Sequence, residues 1–102
     1  TLLFGKTGLT KELLSPPGHS EMEFFMLSIA VGGGSGPDPS RRNGEKAGYV
    51  VQGRIELRIA EQRYLLGEGD AFQFDSRQPH SFQNLADIET RLIWIIRSSE
   101  AV

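Results

Sequence analysis

The sequence predicts an all-β domain whose antiparallel sheets form a sandwich or a closed barrel. Its periodic stretches alternate with period two, as in Arg54–Ile59, where apolar and charged residues follow one another. Clusters of glycine, proline, serine, asparagine and aspartate separate these stretches and leave little room for helices. Many short strands with short turns favour a barrel or sandwich, because closure removes the free edges of an antiparallel sheet.

The first two predicted strands cover residues 11–14 and 22–31 and are separated by a Ser-Pro-Pro-Gly turn. One face of the second strand carries apolar residues at alternate positions: Phe25, Leu27, Ile29 and Val31. Phe24 and Met26 make its other face apolar as well, so we expect both faces to be covered. The glycine-rich segment 32–36 is interpreted as a connector, since a phosphate loop needs a following helix and a Lys-Ser/Thr pair.

Six further strands are predicted at residues 48–51, 54–59, 63–66, 71–74, 80–83 and 90–97. Turn residues bound each of them, including Gln52-Gly53 and the run Gly67-Glu68-Gly69-Asp70. Alternation within these strands predicts a core that includes Ile55, Leu57, Ile59, Phe72 and Ile93.

Composition sets the class of protein. A chain of 102 residues predicts one domain, residues 1–102. The absence of cysteine excludes disulfides and thiolate chemistry, and a net charge of −2 gives no reason to expect nucleic-acid binding by this domain. No apolar run is long enough for a membrane span and no signal peptide is seen, so a cytoplasmic location is expected.

Gly53, at the end of one motif, and Gly69, His80 and Asn84, in a second, carry a resemblance to the cupin superfamily, of the cupin 2 type. The first cupin motif, G(X)5HXH(X)3,4E(X)6G, corresponds to the region that ends at Gly53. The second, G(X)5PXG(X)2H(X)3N, is matched in part by Gly69, His80 and Asn84. The resemblance implies a double-stranded β-helix, that is, a jelly-roll barrel of antiparallel sheets.

The resemblance also shows where the chain departs from the family. Counting back from Gly53 places Lys46 at the position of the metal-binding glutamate, and Ser40 and Arg42 at those of the two histidines. Of the four expected ligands only His80 remains, and ammonium and guanidinium groups offer no lone pair at neutral pH. We therefore predict no metal, no cofactor and no catalytic residues, and expect that the domain is not an enzyme.

A ligand site is predicted instead inside the barrel. If Arg42, Lys46 and His80 face the interior, they form a donor-rich pocket for a carboxylate or another anion. The alternatives are a solvated rim or a subunit contact for the basic residues and a structural role for His80. Phe72, Phe82 and Trp94 are predicted to line the pocket, or else to belong to the core. If His80 donates to the anion, affinity should rise as the pH falls through about 6.5.

The order of several segments along the chain, from the Ser15-Pro16-Pro17-Gly18 turn to Pro79-His80, gives a narrower resemblance to the cupin domains of XRE-type transcriptional regulators. It rests on the order of Leu13-Leu14-Ser15-Pro16-Pro17-Gly18, the 22–31 strand, the glycine-rich link, Gly48-Tyr49-Val50-Val51-Gln52-Gly53 and Pro79-His80. It implies an effector-sensing or dimerisation domain, with a small-molecule effector, a homodimer, and DNA contacted only through a helix-turn-helix domain outside this chain. The alternatives are a stand-alone cupin enzyme, an isomerase or oxygenase with an atypical metal site, and a pure dimerisation module.

Overall fold

The computed structural model describes residues 8–18 and 21–99, which form eight β-strands. In chain order they are β1 (Leu9–Leu13), β2 (Met22–Ile29), β3 (Gly44–Gln52), β4 (Arg54–Ile59), β5 (Gln62–Gly67), β6 (Ala71–Asp75), β7 (His80–Asn84) and β8 (Thr90–Ser98). Within these ranges no helix is long and apolar enough to cross a membrane. The predicted all-β class is confirmed.

The strands form two antiparallel sheets. The larger has the order β1-β2-β8-β3-β6, and the smaller has the order β5-β4-β7. The fully buried side chains come from both sheets and meet between them, among them Ile29, Val50 and Leu92 from the larger sheet and Ile55 and Leu57 from the smaller. The predicted arrangement of two facing sheets is therefore confirmed.

Two strand boundaries differ from the prediction in ways that matter for the site. Strand β3 begins at Gly44, four residues earlier than expected, and so includes Lys46. Strand β2 ends at Ile29, and the prediction that Val31 continues its inner face is wrong. Val31 is 61% exposed because the chain turns there, with Gly33 N–H donating to the Ala30 carbonyl at 2.8 Å.

The predicted core is correct in part. Ile55 and Leu57 are fully buried, while Ile59 and Phe72 are half-buried and pack against the core cluster. The placement of Ile93 in the core is wrong, because Leu92, Trp94 and Ile96 face inward and Ile93 faces the opposite side. Residues 92–96 are all apolar, so the sequence pattern does not indicate which face of β8 is buried.

Candidate ligand-binding site

A cavity of about 270 Å3 opens between the inner face of the large sheet, strand β7 and the segment that joins β2 to β3. Its cationic lining consists of Lys11, Arg42 and Lys46. Two hydroxyl residues and five apolar ones complete it: Ser35, Ser40, Leu9, Leu27, Phe82, Trp94 and Ile96. No carboxylate is among these described lining residues, so the cavity is suited to a molecule with an anionic end and an apolar body.

Lys46 and His80 form the centre of the site. Lys46 lies on the inner face of β3 and is only 8% exposed, and its Nζ is 2.7 Å from Nε2 of His80 on β7. His80 Nδ1 lies 2.8 Å from the Gln78 carbonyl oxygen, which can only accept. Nδ1 therefore carries the ring proton, and Nε2 accepts a hydrogen bond from the Lys46 ammonium.

The environment lowers the basicity of both groups. Burial, together with the charges of Arg42 and Lys11, lowers the pKa of Lys46 to about 8. Burial also lowers the pKa of His80, and the Lys46 charge acts in the same direction. His80 is thus neutral near pH 7 and accepts from Lys46. The lowered pKa of His80 favours its neutral form, whereas the expected rise of anion affinity as the pH falls through about 6.5 requires a protonated His80 and stays a prediction.

Arg42 reaches the cavity from the loop before β3, and buried Ser76 holds that loop. The Arg42 N–H donates to the Ser76 carbonyl at 2.7 Å, and the Ser76 hydroxyl donates to the Arg42 carbonyl at 2.8 Å. Ser76 is completely buried. These two bonds fix the backbone of Arg42 while its side chain stays exposed at the cavity.

The three predicted aromatic residues are divided between two places. Phe82 and Trp94 line the cavity, with ring centroids 5.1 Å apart, and the Lys46 Nζ lies 5.5 Å from the Trp94 ring centroid. Phe72 packs against Trp94 at 5.5 Å but lines a different cleft, between β5 and β6. The structure thus brings together Arg42, Lys46, Phe82 and Trp94, places His80 directly behind Lys46, and leaves Phe72 outside the cavity.

The residues present do not fit the metal site that the motif register implies. The four positions hold Ser40, Arg42, Lys46 and His80, and the described part of the chain has no cluster of three or more His, Cys, Asp or Glu residues able to hold an ion. The His80 nitrogen that would face an ion accepts from the Lys46 ammonium instead. A positively charged group therefore takes the place where a cation would bind.

Three polar residues of the cavity were not predicted as site residues from the sequence: Lys11, Ser35 and Ser40. Lys11 was assigned to a strand without a role, but it faces inward on β1 and its Nζ lies 4.2 Å from the Phe25 ring centroid. Burial and Arg42 lower its pKa. Ser35 belongs to the glycine-rich connector, where its hydroxyl accepts from Phe82 N–H at 2.9 Å. Only the pairing of distant strands brings these residues together.

Asn84, the asparagine of the second motif, has a structural role. It is buried, and its Nδ2 donates to the carbonyls of Ile29 and Ile88 at 3.0 and 2.9 Å. Its Oδ1 accepts from Ala86 N–H and from the Thr90 hydroxyl, both at 2.8 Å. Asn84 thus fastens β7 to β2 and to the turn before β8, away from the cavity lining.

Comparisons with known proteins agree with this architecture. The sequence matches the cupin domain family over residues 25–96, whereas no curated protein matches it. A cupin domain of an XRE family transcriptional regulator from Enterobacter cloacae is similar in structure, with a TM-score of 0.80 and 18% identity, covering 91% of this chain and 99% of that one.

Two further solved structures show the same fold. A helix-turn-helix family transcriptional regulator from Vibrio cholerae gives a TM-score of 0.78 at 18% identity, covering 91% of this chain and 52% of the regulator. KdgF from Halomonas gives 0.73 at 18% identity, covering 95% of this chain and 86% of that protein. At these identities the likeness shows the fold and leaves the ligand to be argued from the site itself.

Proposed function

This chain belongs to the cupin family, and we propose that it is the effector-sensing and dimerisation domain of a helix-turn-helix transcriptional regulator and binds a small organic anion in its barrel. The cavity lined by Lys11, Arg42 and Lys46, with no carboxylate among its described lining residues, carries the proposal. The likeness to regulator domains from Enterobacter cloacae and Vibrio cholerae supports it. In this role the domain binds and releases its ligand and is not an enzyme.

The electrostatics of the cavity favour an anion. The lowered pKa values of Lys46 and Lys11 arise from burial and from the charge of Arg42, so each of these ammonium groups lies in a positive potential. A bound carboxylate offsets that potential and accepts charge-assisted hydrogen bonds. Trp94 and Phe82 then offer an apolar surface to the remainder of the molecule.

Ligand binding can regulate DNA affinity only if the anion prefers one arrangement of the regulator over another. Arg42 and Ser40 lie on the segment between β2 and β3, while Lys46 lies on a central strand of the large sheet. An anion bridging these elements would tie the segment to the sheet. We infer that this bridging by the anion changes the conformation of the barrel and thereby the arrangement of the DNA-binding domain.

A dimer interface is proposed on the outer face of the large sheet. Strands β2, β3 and β8 place apolar side chains there, at cross-strand positions that pair Phe24 with Ile95, and Ile93 with both Met26 and Tyr49. Tyr49 is 47% and Phe24 is 38% exposed. A sheet face that turns apolar side chains outward is typical of a surface that another protein covers.

The occupant proposed for this face is a second copy of the chain. With strands about 4.8 Å apart and a rise of about 3.3 Å per residue, the five strands, of which the three central ones have eight or nine residues and the two edge ones five, present roughly 570 Å2 of flat face. That area approaches the roughly 800 Å2 per partner of a standard interface. A two-fold axis places the same patch on both partners. The outer apolar stripe of one copy, formed by Phe24, Met26, Tyr49, Ile93 and Ile95, therefore packs against the same stripe of the other copy.

The ligand proposal is tested by calorimetric titration of this chain with a panel of small carboxylates at pH 7 and pH 9. We expect at least one to bind, and Arg42→Ala to weaken it by about a hundredfold if the guanidinium makes two charge-assisted bonds. Affinity should fall between the two pH values as Lys46 loses its proton near pH 8, while Arg42 stays charged. Arg41→Ala, which changes the exposed neighbouring arginine, is the matched control and should bind normally. Equal affinity of the Arg42→Ala and Arg41→Ala variants for every ligand would contradict the proposal.

A further inference from the structure

Lys46 has the surroundings of a reactive amine. It lines the cavity, its Nζ lies 2.7 Å from His80 Nε2, and its charge is opposed by Lys11 and Arg42. The Trp94 ring lies beside it, with the centroid 5.5 Å from Nζ. A lysine in a partly apolar pocket with neighbouring cations is the arrangement that makes an amine nucleophilic near neutral pH.

We propose that Lys46 captures a small 2-oxo acid by forming a reversible imine with its carbonyl carbon, while Arg42 holds its carboxylate. This inference rests on the proposed function, since it names the ligand class of the same cavity. The carbonyl of a 2-oxo acid is bonded directly to its carboxylate, so a carboxylate held at Arg42 places the carbonyl in the cavity that Lys46 also lines. A volume of about 270 Å3 suits such a compact molecule.

His80 supplies the proton transfers that the step requires. The Lys46 ammonium passes one proton to His80 Nε2, and the freed nitrogen lone pair forms a bond to the carbonyl carbon. The carbonyl electron pair moves to the oxygen, which takes that proton to give a carbinolamine. A second proton then passes from the nitrogen to His80 Nε2 and from there to the hydroxyl oxygen of the carbinolamine. The carbon–oxygen bond breaks, and water leaves. Of the three ammonium protons two depart in the water and one stays on the iminium, with no change in oxidation state.

The ionisation of Lys46 supports this chemistry. With a pKa of about 8 the amine is neutral in about a tenth of molecules at pH 7, a fraction roughly a hundredfold or more above that of an ordinary lysine. His80 is neutral at the same pH because its pKa is lowered, so it is able to accept the first proton. The pair is therefore in the required protonation states often enough for reversible capture.

The experiment treats the chain with pyruvate and sodium cyanoborohydride, which reduces an imine to a stable secondary amine, and locates the label by peptide mass mapping. We expect labelling at Lys46 to be roughly tenfold or more faster than at Lys11. Lys46→Arg keeps the positive charge but should lose the label at this position. Arg42→Ala should slow labelling by roughly tenfold or more, whereas Arg41→Ala should label at the normal rate.

Lactate separates this inference from the proposed function, because it carries the same carboxylate with a hydroxyl in place of the carbonyl. Binding of both pyruvate and lactate, with no selective label at Lys46, would overturn the imine and leave anion sensing supported. Uniform slow labelling of all amines, with no binding of any carboxylate, would overturn both. Replacing His80 by Phe should slow labelling of Lys46; a labelling rate equal to that of the wild type would overturn the proton transfers assigned to His80.

Discussion

The Lys46 ammonium lies where burial and two neighbouring cations oppose its charge. Its pKa is about 8 in the folded chain and 10.5 when unperturbed. Between these values the unfolded chain binds more protons than the folded one, so the free energy of unfolding rises as the pH rises from 8 toward 10.5. Below pH 8 both states are protonated, and the full penalty for the buried charge is present.

We therefore expect wild-type stability to increase between pH 7 and pH 10 by about 1 to 3 kcal/mol relative to Lys46→Met, after allowance for solvent screening. The methionine keeps most of the side-chain volume and has no charge to lose. At pH 7 the variant gains from removal of the charge and loses the charge-assisted hydrogen bond to His80, which is worth about 1.5 to 3 kcal/mol. Urea unfolding of both proteins at the two pH values measures the difference, and parallel stabilities would show that Lys46 keeps an ordinary pKa.

The sequence allowed part of the site to be predicted at the residue scale. Motif register gave Lys46 and His80 as residues that would converge if both faced the interior, and their 2.7 Å contact agrees with that alternative. Lys11 could not be found in this way, because β1 lies in no motif and reaches the cavity only through its pairing with β2. The hydrogen-bonding role of His80 also escaped prediction, since it depends on the Gln78 carbonyl fixing the ring proton on Nδ1.

The turn between β3 and β4 explains a glycine of the first motif. Gly53 has a φ of 87°, and a Cβ there would collide with the Thr90 hydroxyl and lie 2.8 Å from the Thr90 Cα. Thr90 cannot withdraw, because it is completely buried and its hydroxyl accepts from the Arg54 N–H at 3.0 Å. Glycine is therefore required at position 53 for two reasons: the backbone has a left-handed conformation, and Thr90 of β8 packs too closely to leave room for a Cβ.

Gly69 provides a matched control for this prediction, since it has the same φ of 87° but no atom within 4 Å of an added Cβ. Gly69→Ala should cost about 1 kcal/mol through backbone strain alone. Gly53→Ala should cost about 1 to 3 kcal/mol more, because the new methyl overlaps Thr90. Thermal or urea unfolding of the two variants measures the difference. Similar losses for both would mean that the Thr90 contact relaxes without cost.

Strand positions were more predictable from the sequence than strand faces. Alternation in β4 gave the correct inner residues, Ile55 and Leu57, because charged residues occupy the other face. In β8 both faces are apolar, so the pattern could not show that Ile93 points away from the core. The difference has a physical cause: one side of β8 packs inside the barrel, and the other belongs to the outer stripe proposed to meet a second copy.

At the scale of the whole molecule, the proposed regulator needs both a ligand cavity and a surface for pairing, and the large sheet contributes to both. Its inner face contributes Lys46 and Trp94 to the cavity, and its outer face carries Tyr49 and Ile93. Tyr49 directly follows Gly48, whose missing Cβ makes room for the Phe72 ring beside Trp94. Neighbouring residues of β3 therefore contribute to the opposite faces of one sheet. A shift of this strand on ligand binding would move both faces together.

The dimer is tested by placing a charge in the outer stripe. Tyr49→Glu puts a carboxylate beside Ile93, so burying the interface would desolvate an unpaired charge on each subunit. Leu65→Glu is the matched control, because Leu65 is 66% exposed on the smaller sheet, outside the stripe. We expect light scattering to show a dimer for the wild type and Leu65→Glu, and a monomer for Tyr49→Glu with an unchanged circular dichroism spectrum. A wild-type monomer at high concentration, or a Tyr49→Glu dimer as stable as the control, would show that the stripe does not join two copies. Anion binding by the monomeric variant would then measure how far the cavity depends on pairing, since the cavity residues all come from one chain.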